Sequence, residues 1–231
     1  MGLRVAVTGG TSGLGRALVD ALSERGDAVA LVARTPEPVR EVAERWPGAH
    51  GIVGDVSKKQ DIHPIAMRVN AALGGLDVLV NNASSLGPVP LAPLADTECE
   101  ELEEALATNL VGPFRLTKAL LGALAASARE GRPALVINVV SDAAVNAYPG
   151  WGAYGASKAA LLHMSRIWDE ELRPHGVSVR AVDPGDMDTP LHALALPDAD
   201  PASLKRPEES AREIVALIDA AWATARPLGV E

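Results

Sequence analysis

The sequence predicts an α/β fold: a three-layer, doubly wound parallel sheet with helices on both of its faces. Short apolar runs alternate with longer stretches of helical period along most of the chain, which is typical of parallel strands connected by crossover helices. The 231 residues suffice for one large α/β domain, and 48% of them are hydrophobic. A glycine-rich turn between the first apolar run and the first helical stretch is the third indication. We therefore expect a single domain over residues 1–231.

Six apolar runs are short and continuous enough to be strands that are buried on both faces. In chain order, the predicted strands are residues 3–7, 28–32, 50–53, 77–80, 134–139 and 177–182. The chain has four Trp, two Tyr and one Phe, so Val, Leu, Ile and Ala must fill most of the core. Each tyrosine is therefore of particular interest.

Helices are predicted between these strands, at residues 14–25, 38–45, 62–73, 99–126, 153–173 and 210–223. Gly26 is placed to end the first helix, Pro38 lies near the start of the second, and residues 174–176 end the long helix before the last strand. Pro, Asp and Ala are concentrated in residues 190–207. We expect a surface lid around residues 187–207 and not a domain boundary there.

The glycine-rich segment TGGTSGLG, residues 8–15, follows the first strand directly and begins the first helix. Glycines at positions 9, 13 and 15 permit a tight turn, close approach of the backbone to a pyrophosphate, and close packing of helix on strand. The start of the helix offers free N–H groups to the phosphates. This context predicts a Rossmann-type dinucleotide site, whereas the three glycines alone are equally compatible with a simple connecting turn. A P-loop is excluded because no Gly-Lys-Ser or Gly-Lys-Thr follows.

Arg34 follows the second apolar run, where a fold of this kind places the adenosine ribose. An acidic side chain there would bind the ribose 2′-hydroxyl, whereas arginine favours a 2′-phosphate. The expected cofactor is therefore NADP (NADPH) in preference to NAD. The alternative is a solvated surface arginine.

Tyr154 and Lys158 are four residues apart near the start of a predicted helix, so they share one helix face. A protonated lysine beside a phenol favours the phenolate, and we expect Lys158 to lower the pKa of Tyr154 toward the range of a general acid or base. Ser141 lies 13 residues before Tyr154, just after an apolar strand, where it can hydrogen-bond a substrate oxygen. Tyr148 has no lysine four residues further on, so we predict a pocket wall or a surface residue.

In their order along the chain, these motifs resemble those of the short-chain dehydrogenase/reductase family in its compact single-domain form. The matches are TGxxxGxG at residues 8–15, the first three positions of NNAG at residues 81–83, NxxG at Asn109 and Gly112, the serine at Ser141, YxxxK at Tyr154 and Lys158, PGxxxT at Pro184, Gly185 and Thr189, and the adenine-contacting Asp-Val pair at Asp55 and Val56. The resemblance covers about residues 3–190.

The resemblance implies an oxidoreductase that interconverts a carbonyl and an alcohol by hydride transfer. Tyr154 would donate and accept the proton, Lys158 would hold the nicotinamide ribose and tune the tyrosine, and Ser141 would orient the carbonyl. Asn109 would help to position a water relay. No metal is expected. The residues expected to bind the cofactor are Gly9, Thr11, Ser12, Gly13, Leu14, Gly15, Arg34, Asp55, Val56, Asn82, Ala83, Tyr154, Lys158, Pro184, Gly185 and Thr189.

One position and the C-terminal segment depart from the family pattern. Ser84 stands where the pattern has glycine, which adds a side chain near the nicotinamide side. After the last predicted helix the chain closes with TARPLGVE, without the glycine-rich strand that completes the sheet and part of the tetramer interface in the family. This puts a tetramer in doubt. We expect a homodimer through the long helices that carry Asn109 and Tyr154, because both are apolar around much of their circumference.

The formal net charge is −9, so the field of the protein disfavours nucleic acid and acidic membrane surfaces as partners. Cys99 is the one cysteine and cannot form an intramolecular disulfide, which fits a reducing compartment. No stretch approaches the roughly 18 apolar residues of a membrane span, and the first residues do not form a signal-peptide core. We expect a cytoplasmic protein with a small-molecule carbonyl or alcohol as substrate.

A function of another class is also conceivable: an idle NADP-binding module that senses redox state or holds a partner protein. All four catalytic residue types are present, which favours the enzyme. The substrate pocket is expected to be mostly apolar, with Leu86, Ala143, Trp151, Met187, Leu191 and His192 as its candidate residues. Asp142, Asp186 and Asp188 add acidity near its mouth and favour a neutral or cationic ligand, unless all three are simply solvated surface carboxylates.

Overall fold

Six strands form one parallel sheet at the centre of the computed structural model, which describes residues 2–224. The strands are β1 (Arg4–Thr8), β2 (Ala28–Ala33), β3 (Ala49–Val53), β4 (Val78–Asn81), β5 (Leu135–Val139) and β6 (Ser178–Val182). Their order across the sheet is β3-β2-β1-β4-β5-β6. The order reverses between β1 and β4, and open sheets of this kind bind ligands beyond the carboxyl ends of the strands at such a reversal.

Eight α-helices of the described residues cover the two faces of this sheet. They are α1 (Gly13–Glu24), α2 (Pro36–Arg45), α3 (Lys59–Leu73), α4 (Cys99–Leu106), α5 (Gly112–Arg129), α6 (Gly152–Leu172), α7 (Pro190–Ala195) and α8 (Pro207–Thr224). Side chains of α1, α2 and α8 contribute to one buried apolar cluster, and side chains of α3 and α5 contribute to another. The predicted three-layer α/β fold is confirmed.

Alternation along β1 shows how aliphatic side chains fill both layers of the core. Successive side chains of a strand point to opposite faces of the sheet. Val5 and Val7 accordingly belong to the cluster beneath α1 and α8, whereas Ala6 belongs to the cluster beneath α3 and α5. Each of the six predicted strands begins and ends within one residue of its position in the structure.

The predicted helix 99–126 was wrong as a single element. The structure divides it into α4 and α5, which are joined by a π-helical turn, Ala107–Val111. Pro113 has no N–H to donate to the carbonyl of Asn109, so the regular ladder of hydrogen bonds cannot pass this point. The Gly112 N–H donates instead to the carbonyl of Ala107, five residues earlier. Asn109 therefore lies in an irregular turn.

Three further boundaries differ from the sequence prediction because polar and proline residues begin helices earlier than the apolar pattern does. α2 begins at Pro36, and α3 and α8 begin at Lys59 and Pro207, three residues before their predicted starts. The predicted lid segment contains α7 and a 3-10 turn, Pro201–Ser203. The closing segment TARPLGVE, beyond its first residue, lies outside the described residues.

A buried carboxylate ties the amino ends of the central strands together. Asp77 precedes β4 and is fully buried. Its Oδ1 accepts a hydrogen bond of 2.8 Å from Nη2 of Arg4 in β1, and its Oδ2 accepts one of 2.7 Å from Nη2 of Arg132 before β5. Burial opposes ionisation, but the bonds from Arg132 and Arg4 outweigh it and hold the pKa of Asp77 below its usual value. The carboxylate is therefore ionised and paired.

We expect Asp77→Ala to lower the free energy of unfolding by about 3–5 kcal/mol, because it leaves two arginines without their buried partner. Urea denaturation of the two proteins measures the difference. Glu130→Ala is the matched control, since Glu130 is exposed and pairs with the same Arg4 at 3.4 Å. This surface pair should contribute less than about 1 kcal/mol. Equal losses in the two variants would contradict the assignment.

Candidate active site

The glycine-rich turn between β1 and α1 lies at the reversal of the strand order. Gly9 has a φ of +67°, in the left-handed region that favours glycine. A Cβ atom on Gly15 would overlap the carbonyl oxygen of Gly9 and crowd the Asn82 side chain. The first turn of α1 therefore lies directly against the end of β1, as the spacing of the glycines predicts.

Thr8 and Asn82 join the carboxyl ends of β1 and β4. Thr8 Oγ1 accepts hydrogen bonds of 3.0 Å and 3.1 Å from the N–H groups of Asn82 and Ala83. Asn82 Nδ2 donates to the carbonyl of Thr8 at 2.9 Å. These bonds hold the glycine-rich turn beside the segment that follows β4, and both form one wall of a cavity.

This cavity has a volume of about 670 Å³ and runs along the carboxyl edge of the sheet. Every predicted site residue except Gly15 and Asn109 lines it. Arg34 and Asp55 lie at one end, and Ser141, Tyr154 and Lys158 lie at the other. The candidate substrate residues also line it; they are Leu86, Ala143, Trp151, Met187, Leu191 and His192. Sequence reasoning missed Thr108 and Asp183 in the wall, although Asp183 could have been found because it directly follows β6.

The start of α1 is suited to a pyrophosphate. A hydrogen bond from the Arg16 N–H to the carbonyl of Ser12 begins the helix, so the N–H groups of residues 13–15 have no acceptor within it. The Ser12 side chain does not cap them. Their partial positive charge and the helix dipole both favour an anion at this point of the cavity. The residues present therefore fit a dinucleotide.

At the adenosine end, Arg34 is exposed and makes no hydrogen bond or ion pair with any residue in the described part of the chain. Its guanidinium group is thus available to a ligand. Asp55 accepts a 2.7 Å hydrogen bond from the hydroxyl of Ser57, and Val56 is buried beside it. The residue that follows β2 is therefore an arginine and not the acidic residue that would bind a ribose 2′-hydroxyl.

Tyr154 and Lys158 are buried near the start of α6. Tyr154 is 8% exposed, and its ring meets Trp151 edge-on with the ring centroids 5.7 Å apart. Burial raises the pKa of Tyr154 to about 12, although hydrogen bonding with Ser141 and Ser84 acts in the opposite direction. The phenol is therefore protonated at neutral pH.

Lys158 is 2% exposed, and burial lowers its pKa to about 7. Its Nζ donates to the carbonyl of Val139 at 2.8 Å and lies 5.5 Å from the centroid of the Tyr154 ring. The expected lowering of the Tyr154 pKa by Lys158 was wrong for this structure. With a pKa of about 7, Lys158 is only partly protonated at neutral pH, and burial of the phenol is the largest effect on the pKa of Tyr154.

Ser141 lies just beyond β5, in hydrogen bonds with its neighbours. Its Oγ accepts from the Ala143 N–H at 3.2 Å and donates to Asp142 Oδ1 at 3.1 Å. Tyr148 is 44% exposed and lines the cavity, which confirms the prediction of a wall or surface residue. Its hydroxyl donates to Asp142 Oδ2 at 2.6 Å, a contact that the sequence did not predict.

Asn109 is fully buried and does not reach the cavity wall. Its Nδ2 donates to the carbonyl of Ser85 and to the hydroxyl of Ser157, both at 2.8 Å. Its Oδ1 accepts from the Ser85 N–H at 2.8 Å and from the Ser84 hydroxyl at 3.2 Å. The side chain thus connects the segment after β4 to α6. Ser84, which departs from the family pattern, is one of its partners.

None of the helices within residues 2–224 is long and apolar enough to cross a membrane. Comparison with known proteins matches residues 4–199 to the model of the short chain dehydrogenase family. An uncharacterized short-chain type dehydrogenase/reductase of Sinorhizobium fredii is 35% identical over 191 residues, which are 82% of this chain and 33% of that protein. The chain therefore spans one third of the length of that relative.

Two solved structures are similar over nearly the whole chain. The 3-ketoacyl-(acyl-carrier-protein) reductase from Brucella melitensis, complexed with NADH, has a TM-score of 0.89 and 25% identity, and the match covers 98% of this chain and 94% of that one. An alcohol dehydrogenase from the archaeon Thermococcus sibiricus, complexed with 5-hydroxy-NADP, has a TM-score of 0.83 and 27% identity, with 94% and 91% covered.

The lowered pKa of Lys158 has a consequence for stability. Between pH 7 and 9.5 the unfolded lysine keeps its proton while the folded side chain loses it, so the free energy of unfolding should rise with pH. We expect a slope of up to about 1.4 kcal/mol per pH unit relative to Lys158→Met, measured by urea denaturation at each pH. For Lys118→Met, at an exposed position in α5, the free energy of unfolding should change with pH as it does in the wild type. If the free energies of unfolding of the wild type and Lys158→Met changed equally with pH, burial would not displace the proton of Lys158.

Proposed function

The chain belongs to the short-chain dehydrogenase/reductase family, and we propose that it is an NADP-dependent oxidoreductase that interconverts a carbonyl compound and an alcohol. The observation that carries the proposal is one continuous cavity. It has at one end an arginine with no partner among residues 2–224, a helix start suited to phosphates along its wall, and a buried tyrosine and lysine at the other end. This order matches the 2′-phosphate, the pyrophosphate and the nicotinamide of NADP.

The cofactor would be held along the carboxyl edge of the sheet. The first turn of α1, with Ser12, Gly13 and Leu14, would receive the pyrophosphate through backbone N–H groups. Gly9, Thr11 and Gly15 would shape the turn beside the pyrophosphate, and Asp55 and Val56 would flank the adenine. The other predicted residues would line the nicotinamide half; they are Asn82, Ala83, Tyr154, Lys158, Pro184, Gly185 and Thr189. When bound, the nicotinamide supplies or accepts the hydride.

Arg34 is the residue on which the choice of NADP depends. The two structural neighbours contain NADH in one case and an NADP derivative in the other, so the fold itself accepts either cofactor. A 2′-phosphate carries nearly two negative charges, and a guanidinium can meet it with two parallel hydrogen bonds. Because Arg34 has no partner within residues 2–224, binding would break no existing ion pair.

Tyr154 would act as the general acid in carbonyl reduction. Its phenol is protonated at neutral pH, so it can give its proton to the carbonyl oxygen as the carbonyl carbon gains the hydride, which yields the alcohol. In alcohol oxidation the phenolate takes back the hydroxyl proton as the hydride leaves the carbon. Lys158 in its protonated form would stabilise that phenolate, and Ser141 would orient the substrate oxygen.

We extend the proposal to the organisation of the chain. It would form a single domain, with residues 187–207 as a lid over the substrate half of the cavity. Leu191, Leu194 and Leu196 of this segment line the cavity. A hydrogen bond of 2.9 Å from the Asp188 N–H to the Lys205 carbonyl holds its two ends together. A homodimer would pair α5 and α6, where Phe114 is partly exposed and packs edge-on against Trp168.

We expect Tyr154→Phe to retain NADPH binding and to lose at least about a hundredfold in kcat, because the phenyl ring preserves packing but has no proton to transfer. Steady-state oxidation of NADPH with a panel of carbonyl compounds measures the loss, and fluorescence titration measures binding. Tyr148→Phe removes the other tyrosine hydroxyl and should retain more than a tenth of the activity. Comparable activity in Tyr154→Phe would refute the proposed role of Tyr154.

We expect wild-type protein to bind NADPH about ten- to a hundredfold more tightly than NADH, as a charge-assisted contact at an exposed site would give. Arg34→Asp should reverse the preference, because it removes the cation and adds an acceptor for the ribose hydroxyls. Titration of both cofactors at one salt concentration measures both ratios. Arg40→Asp makes the same charge change on the exposed surface of α2 and should leave the preference for NADPH in place. Equal affinity of the wild type for the two cofactors would mean that Arg34 is a solvated surface residue and does not select NADPH.

A further inference from the structure

Two hydroxyl groups hold the carboxylate of Asp142 at the Tyr154 end of the cavity. The hydroxyl of Ser141 donates to Oδ1 at 3.1 Å, and the phenol of Tyr148 donates to Oδ2 at 2.6 Å. The bond from Tyr148 is the main cause that holds the pKa of Asp142 below its usual value. The group is therefore an ionised carboxylate, which accepts hydrogen bonds and donates none.

The wall around Tyr154 carries more acidic than basic groups. Asp183 and Asp186 line it together with Asp142, and the charges of Asp142 and Asp183 both act on the Tyr154 phenol. Within residues 2–224, Arg34 is the one arginine that lines the cavity, and it lies at the adenosine end. Lys158 donates to the Val139 carbonyl, and burial lowers its pKa to about 7, so above that pH it supplies little positive charge. A carboxylate ligand beside Tyr154 would thus lie near like charges without an arginine as its partner.

Much of the remaining wall at this end is apolar, although Ser84 and His192 also line the cavity. Leu86, Ala143, Tyr154 and Ala195 form a small buried cluster, and Leu91, Trp151 and Leu191 pack against it. Ser141 and Asp142 are the polar groups that directly precede Ala143 in this wall. A ligand that fits here has an apolar body and, on the side of Asp142, a group that donates hydrogen bonds.

We propose that Asp142 is a specificity-determining residue, which favours substrates with a hydroxyl or ammonium group next to the reacting carbon and disfavours substrates with a carboxylate there. The proposal rests on the proposed carbonyl reduction at Tyr154 and names the substrate class of that same site. Ser141 donates to Asp142 and lines the same cavity as Tyr154, so the donor group and the reacting carbonyl would be neighbours on one substrate.

Four phenyl ketones that differ only beside the carbonyl provide the test. They are acetophenone, phenacyl alcohol, phenacylamine and benzoylformate, which carry a methyl, hydroxymethyl, aminomethyl or carboxylate group. Calorimetric titration at pH 7.5, above the lowered pKa of Lys158, with and without NADP, gives their affinities without reduction of the ketone. We expect phenacyl alcohol and phenacylamine to bind about tenfold more tightly than acetophenone, and benzoylformate about tenfold more weakly.

Four variants separate the charge of Asp142 from its role in positioning Ser141. Asp142→Asn should bring the four affinities within about threefold of one another, and Asp142→Ser gives the same comparison if the amide disturbs folding. Tyr148→Phe removes the phenol bond but keeps the carboxylate, so the order of affinities should remain. Asp188→Asn makes the same charge change at an exposed position outside the cavity wall and should also preserve the order.

Several results would overturn the proposal. One is equal affinity of the wild type for benzoylformate and phenacyl alcohol, and another is no detectable binding of any of the four ketones. A third is a change of all four affinities by one common factor in Asp142→Asn, which would mean that Asp142 acts only through Ser141. NADPH oxidation with the same ketones separates this proposal from the one on which it rests. Selective binding without turnover would refute the carbonyl reduction, whereas turnover without selectivity would refute the role of Asp142.

Discussion

The junction between the carboxyl ends of β1 and β4 is the constraint on which the cavity depends. Thr8 and Asn82 exchange side-chain and backbone hydrogen bonds across it. The chain must then turn at once into α1, and it does so through Gly9 with a positive φ and Gly15 with no Cβ. A side chain at Gly15 would push α1 away from the strand. The N–H groups that face the cavity would move with the helix, so the turn, the junction and the candidate phosphate site form one unit.

The same edge of the sheet positions the candidate catalytic groups. Ser141 follows β5, and the carbonyl of Val139 at the end of β5 accepts the hydrogen bond of Lys158, which holds α6 against the sheet. Burial shifts the pKa of Tyr154 and that of Lys158 toward their neutral forms, one upward and one downward. Oppositely shifted groups in a cavity are typical of sites that move protons. Because burial favours the neutral forms of Tyr154 and Lys158, neither side chain needs an oppositely charged partner before the cofactor binds.

Sequence reasoning found the sheet and most of the cavity wall because both depend on local patterns. Aliphatic runs bounded by polar residues predicted the strands closely, and residues that follow strands, such as Arg34 and Ser141, had to lie on one edge. The break at Asn109 was missed because the apolar period continues through it, although Pro113 supplied the signal. The pKa of Tyr154 could not be predicted, since its burial depends on Trp151 and on side chains far away in the chain. Hydrophobic periodicity could not predict the hydrogen bond from Tyr148 to Asp142 either, because Tyr148 lies in an irregular loop.

The central claim is that a dinucleotide lies along the carboxyl edge of the sheet with its adenosine end at Arg34 and its nicotinamide end at Tyr154. A crystal structure of the protein with NADP bound is the most direct measurement. We expect the 2′-phosphate within hydrogen-bonding distance of the Arg34 guanidinium, the pyrophosphate at the first turn of α1, and the nicotinamide beside Tyr154. Cofactor density with the opposite orientation, or in the separate cleft between α1 and the start of α8 that Arg16 and Arg212 line, would contradict it.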